Sequence, residues 1–342
     1  MVIGPRLRHA GGVDGWQDRA TFVATTAAWV ATALLALVAL LTCAGLTIHP
    51  WHAGAQALTP VLLVLALLLV IAAVSTRRWS LAIGATAVLV VYALLVAPAL
   101  LQRTSTPRWA RSADPVSVAV ANVRWDNPDP VAKARQLLRA NADVMVVVEL
   151  STAFARALDG LSGGRRYPHR LIDPHRHGAG GIGLYSKRPL LDAQFRRLGP
   201  RRLPTAAVRT GGRRLELVGL HVPAPTGDRM ERWDDALGAL DRYRERTRGP
   251  LVLAGDFNAN RWHPAFAPLL DGMQDVHEVA GKPFSRSWPD DGPLLGLVPP
   301  LTRLDHALVS DGVAVVGVED LGGRGSDHRG FVATVAVRPR AA

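Results

Sequence analysis

The sequence predicts an α/β domain of two packed sheets covered by helices, carried behind three membrane-spanning helices. Two observations lead there. Three long apolar runs fall before residue 102 of the 342, and nothing comparable follows, although apolar residues make up 49% of the chain. From about Pro115 onward, short Val- and Leu-rich runs alternate with polar helical stretches, which is how strands and helices mixed in one domain read. The length allows about two such units.

The first unit is the apolar one. Residues 1–20 form a polar tail, and Thr21 to Ile48 carries no charge. That run is long enough to cross a hydrocarbon core about 30 Å thick, which takes roughly 20 helical residues. Leu58 to Val74 and Leu81 to Leu101 are the second and third spans. The second is short, and Pro60 near its start is tolerable in a first helical turn. The first run is too long for the apolar core of a cleaved signal peptide. Thr42 stands where a lipidation signal at Cys43 would want Gly or Ala. Cys43 is the only cysteine, so no intrachain disulfide or Cys-based zinc site is available.

Arginine placement gives the expected orientation. Arg6, Arg8, Arg19, Arg77 and Arg78 flank one side of the spans, whereas the connection from His49 to Ala57 has neither Lys nor Arg. Basic residues favour the cytoplasmic side, so the N-terminus is expected inside and the chain beyond the third span outside. Arg103, Arg108 and Arg111 pull mildly the other way. Residues 102–114 read as a linker and 115–342 as the second domain.

The net charge of +12 suggests a nucleic-acid binder at first sight. Residues 1–111 hold eight Arg and two Asp, which leaves only +6 on the remaining domain, with its Arg scattered. That is the pattern of a solvated Arg-rich surface rather than a binding stripe.

In the second domain, Val116 to Ala121 is a strand, and Asp129-Pro130 opens a helix with an acid at the cap and Pro at the first position. Strands follow at Asp143 to Leu150, Gly181 to Ser186, Ala206 to Thr210 and Arg214 to His221. Asp228 to Arg246 is a charged amphipathic helix. Leu251 to Gly255, Asp305 to Val309 and Phe331 to Val337 complete the strands, and no internal repeat is visible.

Polar residues gather at the ends of these strands: Asn122, Glu149, His221, Asp256 with Asn258, Asp305, and Asp327-His328 in a Gly/Ser turn. Each alone has an ordinary explanation as a cap or turn residue. Together they offer hard oxygen ligands, Glu149, Asp327 and Asn122, suited to Mg²⁺ or Mn²⁺. They also offer two histidines, His221 and His328, able to donate to phosphate oxygens. Phosphate-ester hydrolysis needs a charge-neutralising metal and a positioned water with its base.

Seven segments come in one order: Ala119-Val120-Ala121-Asn122, Val147-Val148-Glu149-Leu150, Gly181-Ile182-Gly183-Leu184-Tyr185-Ser186-Lys187, Gly219-Leu220-His221, Gly255-Asp256-Phe257-Asn258-Ala259, Arg303-Leu304-Asp305-His306 and Ser326-Asp327-His328. That order resembles the endonuclease/exonuclease/phosphatase superfamily, the DNase I-like metal phosphoesterases, over about Pro115 to Val337. The resemblance implies a four-layer α/β sandwich of two mixed sheets flanked by helices, with the site at one edge. It implies Glu149 as main metal ligand, helped by Asn122 and Asp327. It implies that Asp256 orients or deprotonates the attacking water and that Asn258 holds a phosphate oxygen. His328, paired with Asp305, would stabilise the transferring phosphoryl group, and His221 would contact phosphate or assist the leaving group.

Abasic-site nucleases of that superfamily carry a Tyr just ahead of the Gly-rich strand, where this chain has Gly178-Ala179-Gly180. The departure weakens a DNA-repair reading. Tyr185 reads as core, His169, His175 and His177 as a polar loop over the site with a second metal site as the alternative, Trp125-Asp126-Asn127 as a mouth loop, and Trp233 and Trp288 as packing residues.

Three spans plus this domain resemble actinobacterial membrane proteins linked to teicoplanin resistance. That implies a lipid bilayer as partner and a lipid-linked pyrophosphate of wall synthesis as substrate, hydrolysed outside the cell. A cell-surface nuclease acting on extracellular nucleic acid is the alternative, and a non-catalytic anchored receptor is the reading of another class. No obligate protein partner is implied.

Overall fold

The computed structural model describes residues 13–101, 106–290 and 299–339. Arg6, Arg8 and Arg103, used above for orientation, lie outside the described residues.

Four helices come first: α1 (Val13–Cys43), α2 (Pro50–Ala57), α3 (Thr59–Ser75) and α4 (Trp79–Leu101). Helices α1 and α4 are each long and apolar enough to cross a membrane. The expected second span is α3, of 17 residues, which meets α2 at a bend of 77°. At 1.5 Å per residue α3 is about 25 Å long, a little short of a hydrocarbon core. Pro60 falls in its first turn, where a missing N–H costs nothing. The stretch from His49 to Ala57, expected as a plain connection, is mostly the helix α2. His49 caps it and Pro50 opens it.

The rest of the described chain continues as β1 (Pro115–Asn122), α5 (Pro130–Ala140), β2 (Val144–Val148), α6 (Thr152–Gly160), the single turn α7 (Gly163–Arg166), β3 (His169–Asp173), β4 (Ile182–Ser186), β5 (Leu191–Leu198), β6 (Arg201–Thr210) and β7 (Arg213–His221). After them come α8 (Met230–Arg246), β8 (Leu251–Asp256), the turn α9 (Ala267–Leu270), β9 (Met273–Asp275), the turn α10 (Val276–Val279), β10 (Asp305–Ser310), β11 (Val313–Asp320) and β12 (Phe331–Val337). The expected helix start is realised: Asp129 accepts from the Ala132 N–H at 2.9 Å, one turn into α5.

The strands form two six-stranded mixed sheets, ordered β11-β12-β1-β2-β4-β3 and β5-β6-β7-β8-β10-β9. Each is antiparallel except for one central parallel pair, β1–β2 in the first and β7–β8 in the second. Strands buried on both faces read as continuous apolar runs, which is why VMVVV in β2 does not alternate. Val118, Val120, Val146 and Val148 face Val218, Leu220 and Leu253 in the core between the sheets. The opposite side of the first sheet packs Ala119, Met145 and Val147 on Leu137 of α5 and Phe154 of α6. Trp233, Leu237 and Leu240 of α8 join the core. Two mixed sheets flanked by helices make the α/β sandwich that the sequence predicts.

Strands β3, β5, β9 and β11 were not expected. All four are edges of the sheets, and β5 and β11 expose much of their length, so their polar residues mask the strand pattern.

Candidate active site

The two parallel pairs place the site. Asn122 ends β1, and Glu149 immediately follows β2, its parallel neighbour. His221 ends β7 in register with Asp256 at the end of β8, and Asp305 opens β10 opposite Asp256. Stacking the two sheets brings these ends to one edge. The Ser326–His328 turn crosses from the other side, held by the Ser326 hydroxyl on the Asn122 carbonyl at 2.8 Å.

Local backbone fixes the side chains. Glu149 and Asn258 both sit in the left-handed region, at φ 53° and 47°. Asn tolerates it, whereas for Glu it costs energy that the surrounding strands must over-determine. Gly255 has φ +148°, and a Cβ there would lie 1.9 Å from the Leu220 carbonyl oxygen. Only glycine lets β8 run that close to β7 just before Asp256.

The polar side chains touch. Asn122 Nδ2 donates to Glu149 Oε1 at 3.0 Å and to Asp256 Oδ2 at 3.2 Å, while its Oδ1 accepts from the Arg124 N–H at 2.9 Å. Glu149 Oε2 accepts from the Trp125 N–H at 3.2 Å. Asp256 Oδ1 accepts from the Asn258 N–H at 2.9 Å. His328 Nδ1 is 2.7 Å from Asp305 Oδ2, and its Nε2 points towards Asp256 Oδ2 at 3.8 Å. His221 Nε2 lies 3.9 Å from the same oxygen. Asn258 spends one amide N–H on the Val222 carbonyl at 2.9 Å.

Burial sets the electrostatics. It raises Asp256 to about 7, offset only in part by His328, and it raises Glu149 as well. For His328, burial opposes the charge, but Asp305 and Asp256 overcome it and carry the imidazole up to about 10. Burial of Asp305 is likewise overridden by His328, which holds that carboxyl below its usual range. His221 is pushed down to about 3 by burial, with Arg201 and His328 adding to the effect. At neutral pH the edge therefore pairs a cationic His328 with a neutral His221 around an Asp256 near its midpoint.

The donor set fits a hard divalent cation. Glu149, Asp256 and Asp305 crowd three carboxylates into one desolvated edge, and Asp305 Oδ1 is buried without a hydrogen-bond partner. Asp256, Asp305 and His328 bring polar atoms within 4.8 Å of one another, but His328 is cationic and paired with Asp305, so the oxygens open to a cation are those towards Glu149 and Asp327. A cation would relieve that repulsion and bring Glu149 and Asp256 back down.

Glu149, His221, Asp256, Asn258, Asp327 and His328 line one cleft of about 510 Å³, shared with Ala179, Arg201, Arg229 and Trp288, with Asn122 and Asp305 buried behind them. Its other wall is apolar and comes from the N-terminal helices: Pro50, Ala53, Gly54, Ala57 and Leu58. Three hydrogen bonds fasten that wall just beyond Asn258. Asn260 and Thr302 donate to the Ala57 carbonyl at 3.0 and 2.8 Å, and His263 Nε2 lies 2.9 Å from the Ala53 carbonyl.

All eight expected site residues thus converge on one edge. Trp233 is buried, as a packing residue should be. Trp288 is 38% exposed and lines the cleft instead. Tyr185 is buried in the core. The Trp125 loop reaches Glu149, and Ala179 of the loop after the three histidines reaches the cleft. Among the described residues, His169, His175 and His177 form no metal-ligating group of three. Sequence reasoning missed the α2 wall, its docking residues Asn260, His263 and Thr302, and the cleft arginines Arg201 and Arg229.

Residues 119–328 match the model of a family described as the Endonuclease/Exonuclease/phosphatase family. Solved structures share the fold. Zebrafish (D. rerio) TDP2 complexed with single-strand DNA product is 19% identical, with TM-score 0.56, covering 65% of this chain and 99% of that one. An endonuclease/exonuclease/phosphatase from Beutenbergia cavernae is 18% identical, with TM-score 0.50, covering 66% and 72%. One from Bacteroides vulgatus is 16% identical, with TM-score 0.51, covering 66% and 99%. A search of curated proteins finds no match.

Proposed function

The chain belongs to the endonuclease/exonuclease/phosphatase family, and within it we propose a membrane-anchored, divalent-metal-dependent phosphoesterase acting on an amphiphilic phosphate at the outer membrane surface. One observation carries the reading: the catalytic cleft has a polar wall of family residues and an apolar wall contributed by the helix between the first two spans.

Glu149 and Asp327, with Asn122 beside them, would hold Mg²⁺ or Mn²⁺, which would supply charge neutralisation for phosphoryl oxygens and acidify water. The chain's own groups do the rest. Asp256, raised by burial to about 7 in the cation-free edge and lowered again beside a cation, is ionised at neutral pH and accepts the proton of the attacking water. Asn122 and the Asn258 N–H fix the orientation of that carboxylate. His328, kept cationic by Asp305, donates from Nε2 to the phosphoryl oxygens as charge develops. His221 is neutral and donates or accepts at the leaving-group side, and the remaining amide N–H of Asn258 holds a phosphate oxygen.

Membrane anchoring is supported by the exposed apolar surfaces of the helices, such as Leu34 and Leu37 of α1 and Ile83 and Leu94 of α4. Exposed Trp16 and Trp79 stand at one end of the helices and Trp51 at the other, the places where Trp marks bilayer interfaces. With α3 as the second span, the cleft lies on the side opposite the Arg77-Arg78 loop, which the positive-inside bias makes the outer one. A lipid-linked pyrophosphate of the cell wall, and with it a role in antibiotic resistance, fits both walls of the cleft. A nucleic acid fits only the polar one.

The test is the full chain in detergent micelles with Mg²⁺ or Mn²⁺, given single-stranded DNA, a soluble aryl phosphodiester and isoprenyl phosphates. Isoprenyl phosphates should be turned over fastest, and EDTA should stop the reaction. Preference for DNA would turn the reading to the surface nuclease. Inertness on the whole panel would overturn catalysis and leave the anchored receptor.

A further inference from the structure

The cleft holds two arginines that the mechanism above does not use. Arg201 opens β6, is partly buried, and lines the cleft beside Glu149, His221 and Asp256; Arg229 stands exposed on the same rim, in the loop that follows His221. Several other arginines of the domain set the contrast. Arg124, Arg170, Arg188, Arg303 and Arg329 each reach a carboxylate. Among the described residues neither Arg201 nor Arg229 has a side-chain hydrogen bond or ion pair.

Holding Arg201 there is unfavourable. Burial works against its charge, and Arg229 and Arg232 add to the penalty, with only Glu149 favouring it. Two unpaired guanidiniums converging on a partly desolvated wall are a poor arrangement for the free protein and a good one for an anion. Asn258 and His328 already serve the phosphoryl group under attack. A second anion site next to them has a use only if the substrate carries a second anionic group.

We propose that Arg201, with Arg229 at the rim, forms a subsite for the second phosphate of a diphosphate, so that the cleft takes an apolar chain, a bridging phosphate and a terminal phosphate together. This rests on the phosphoesterase reading above. In the step it serves, water adds to the terminal phosphorus and its proton passes to Asp256. The bond from that phosphorus to the bridging oxygen breaks. The products are inorganic phosphate and the lipid monophosphate, whose new charge Arg201 holds.

The experiment compares the full chain in Mg²⁺-containing micelles on farnesyl diphosphate and on bis(4-nitrophenyl) phosphate, a substrate with one phosphate. For the wild type, turnover of both is expected. Arg201→Ala should lower the ratio of kcat/KM on diphosphate to that on diester by about tenfold or more, mainly through KM, the scale of one charge-assisted bidentate contact. Arg201→Lys should restore part of the ratio, and Arg229→Ala should lower it by a smaller factor. A wild type that cleaves the diester but not the diphosphate would overturn the subsite, as would equal losses on both substrates. A wild type inert on both would instead sink the phosphoesterase reading itself.

Discussion

Asp305 and His306 are neighbours in β10, and each is half of a buried histidine–carboxylate pair. Asp305 holds His328 at 2.7 Å, and His306 holds Asp275 at 2.5 Å. The pairs differ in what the second imidazole nitrogen meets. His328 Nε2 faces the cleft, with Asp256 3.8 Å away and room for a ligand. His306 Nε2 is closed off by the Ala259 and Arg303 carbonyls at 3.1 and 3.3 Å, and Phe257 and Phe266 pack on its ring. The first pair has a free valence and can act on a substrate. The second has none, and it clamps β9 and β10 to the segment that carries Asp256 and Asn258. A buried His–Asp pair is therefore chemistry or scaffold according to that one free nitrogen.

The comparison breaks most sharply at the cleft pair. His328→Gln should lower kcat of the folded fraction by roughly 10²- to 10⁴-fold, the scale of a lost acid–base or charge-stabilising group, on top of the stability lost by stranding Asp305. His306→Gln should lose stability too, but leave a folded fraction with near-normal kcat. Equal kinetic losses in the two variants would erase the distinction.

Next in size is stability at the scaffold pair. Removing one partner of a buried pair strands the other, so Asp275→Asn should destabilise the chain by about 3 kcal/mol in denaturant titration. The same pair gives a pH signature. Burial would raise Asp275, but His306 overrides it and depresses the carboxyl well below its usual range. A depressed carboxylate stabilises the fold above its unfolded pKa, and that stability is lost as pH falls below about 4. Wild-type stability should fall progressively as pH drops from about 5 towards the depressed range of the folded carboxyl, and Asp275→Asn should flatten that part of the curve.

A gentler effect concerns the metal. Because burial lifts Asp256 to about 7, an incoming cation competes with a proton there. Mn²⁺ affinity by calorimetry should strengthen from pH 6 to pH 8, and Asp256→Asn should blunt the change. The smallest effect belongs to the wall. Thr302→Val removes one of the two hydrogen bonds to the Ala57 carbonyl and should cost about 1 kcal/mol. It should slow turnover of micellar isoprenyl phosphate more than that of a soluble diester.

Much of this was legible in the chain because the strands are. Val-rich runs buried on both faces announce β1, β2 and β8, and the carboxylates and histidines at their ends are costly there without a partner. What the sequence concealed is of two kinds. Edge strands β5 and β11 carry polar residues on exposed faces, so LDAQFRRL reads as surface. Helix α2, PWHAGAQA, is too short and too mixed to show a period, and its role comes from docking on Asn260, His263 and Thr302, far away in the chain. Arg201 and Arg229 are two among many arginines, and only the fold separates them from the paired ones. Asp275 and His306 sit in the same class of motif as Asp305 and His328. Nothing short of three dimensions shows which histidine keeps a nitrogen free.

The most direct measurement is steady-state hydrolysis of an isoprenyl diphosphate by the full chain with Mg²⁺, wild type against His328→Gln. Metal-dependent turnover that falls by at least about a hundredfold in the variant, at a temperature where both proteins are folded, is the predicted result. Wild-type turnover that survives EDTA, or a variant as active as the wild type, would contradict it.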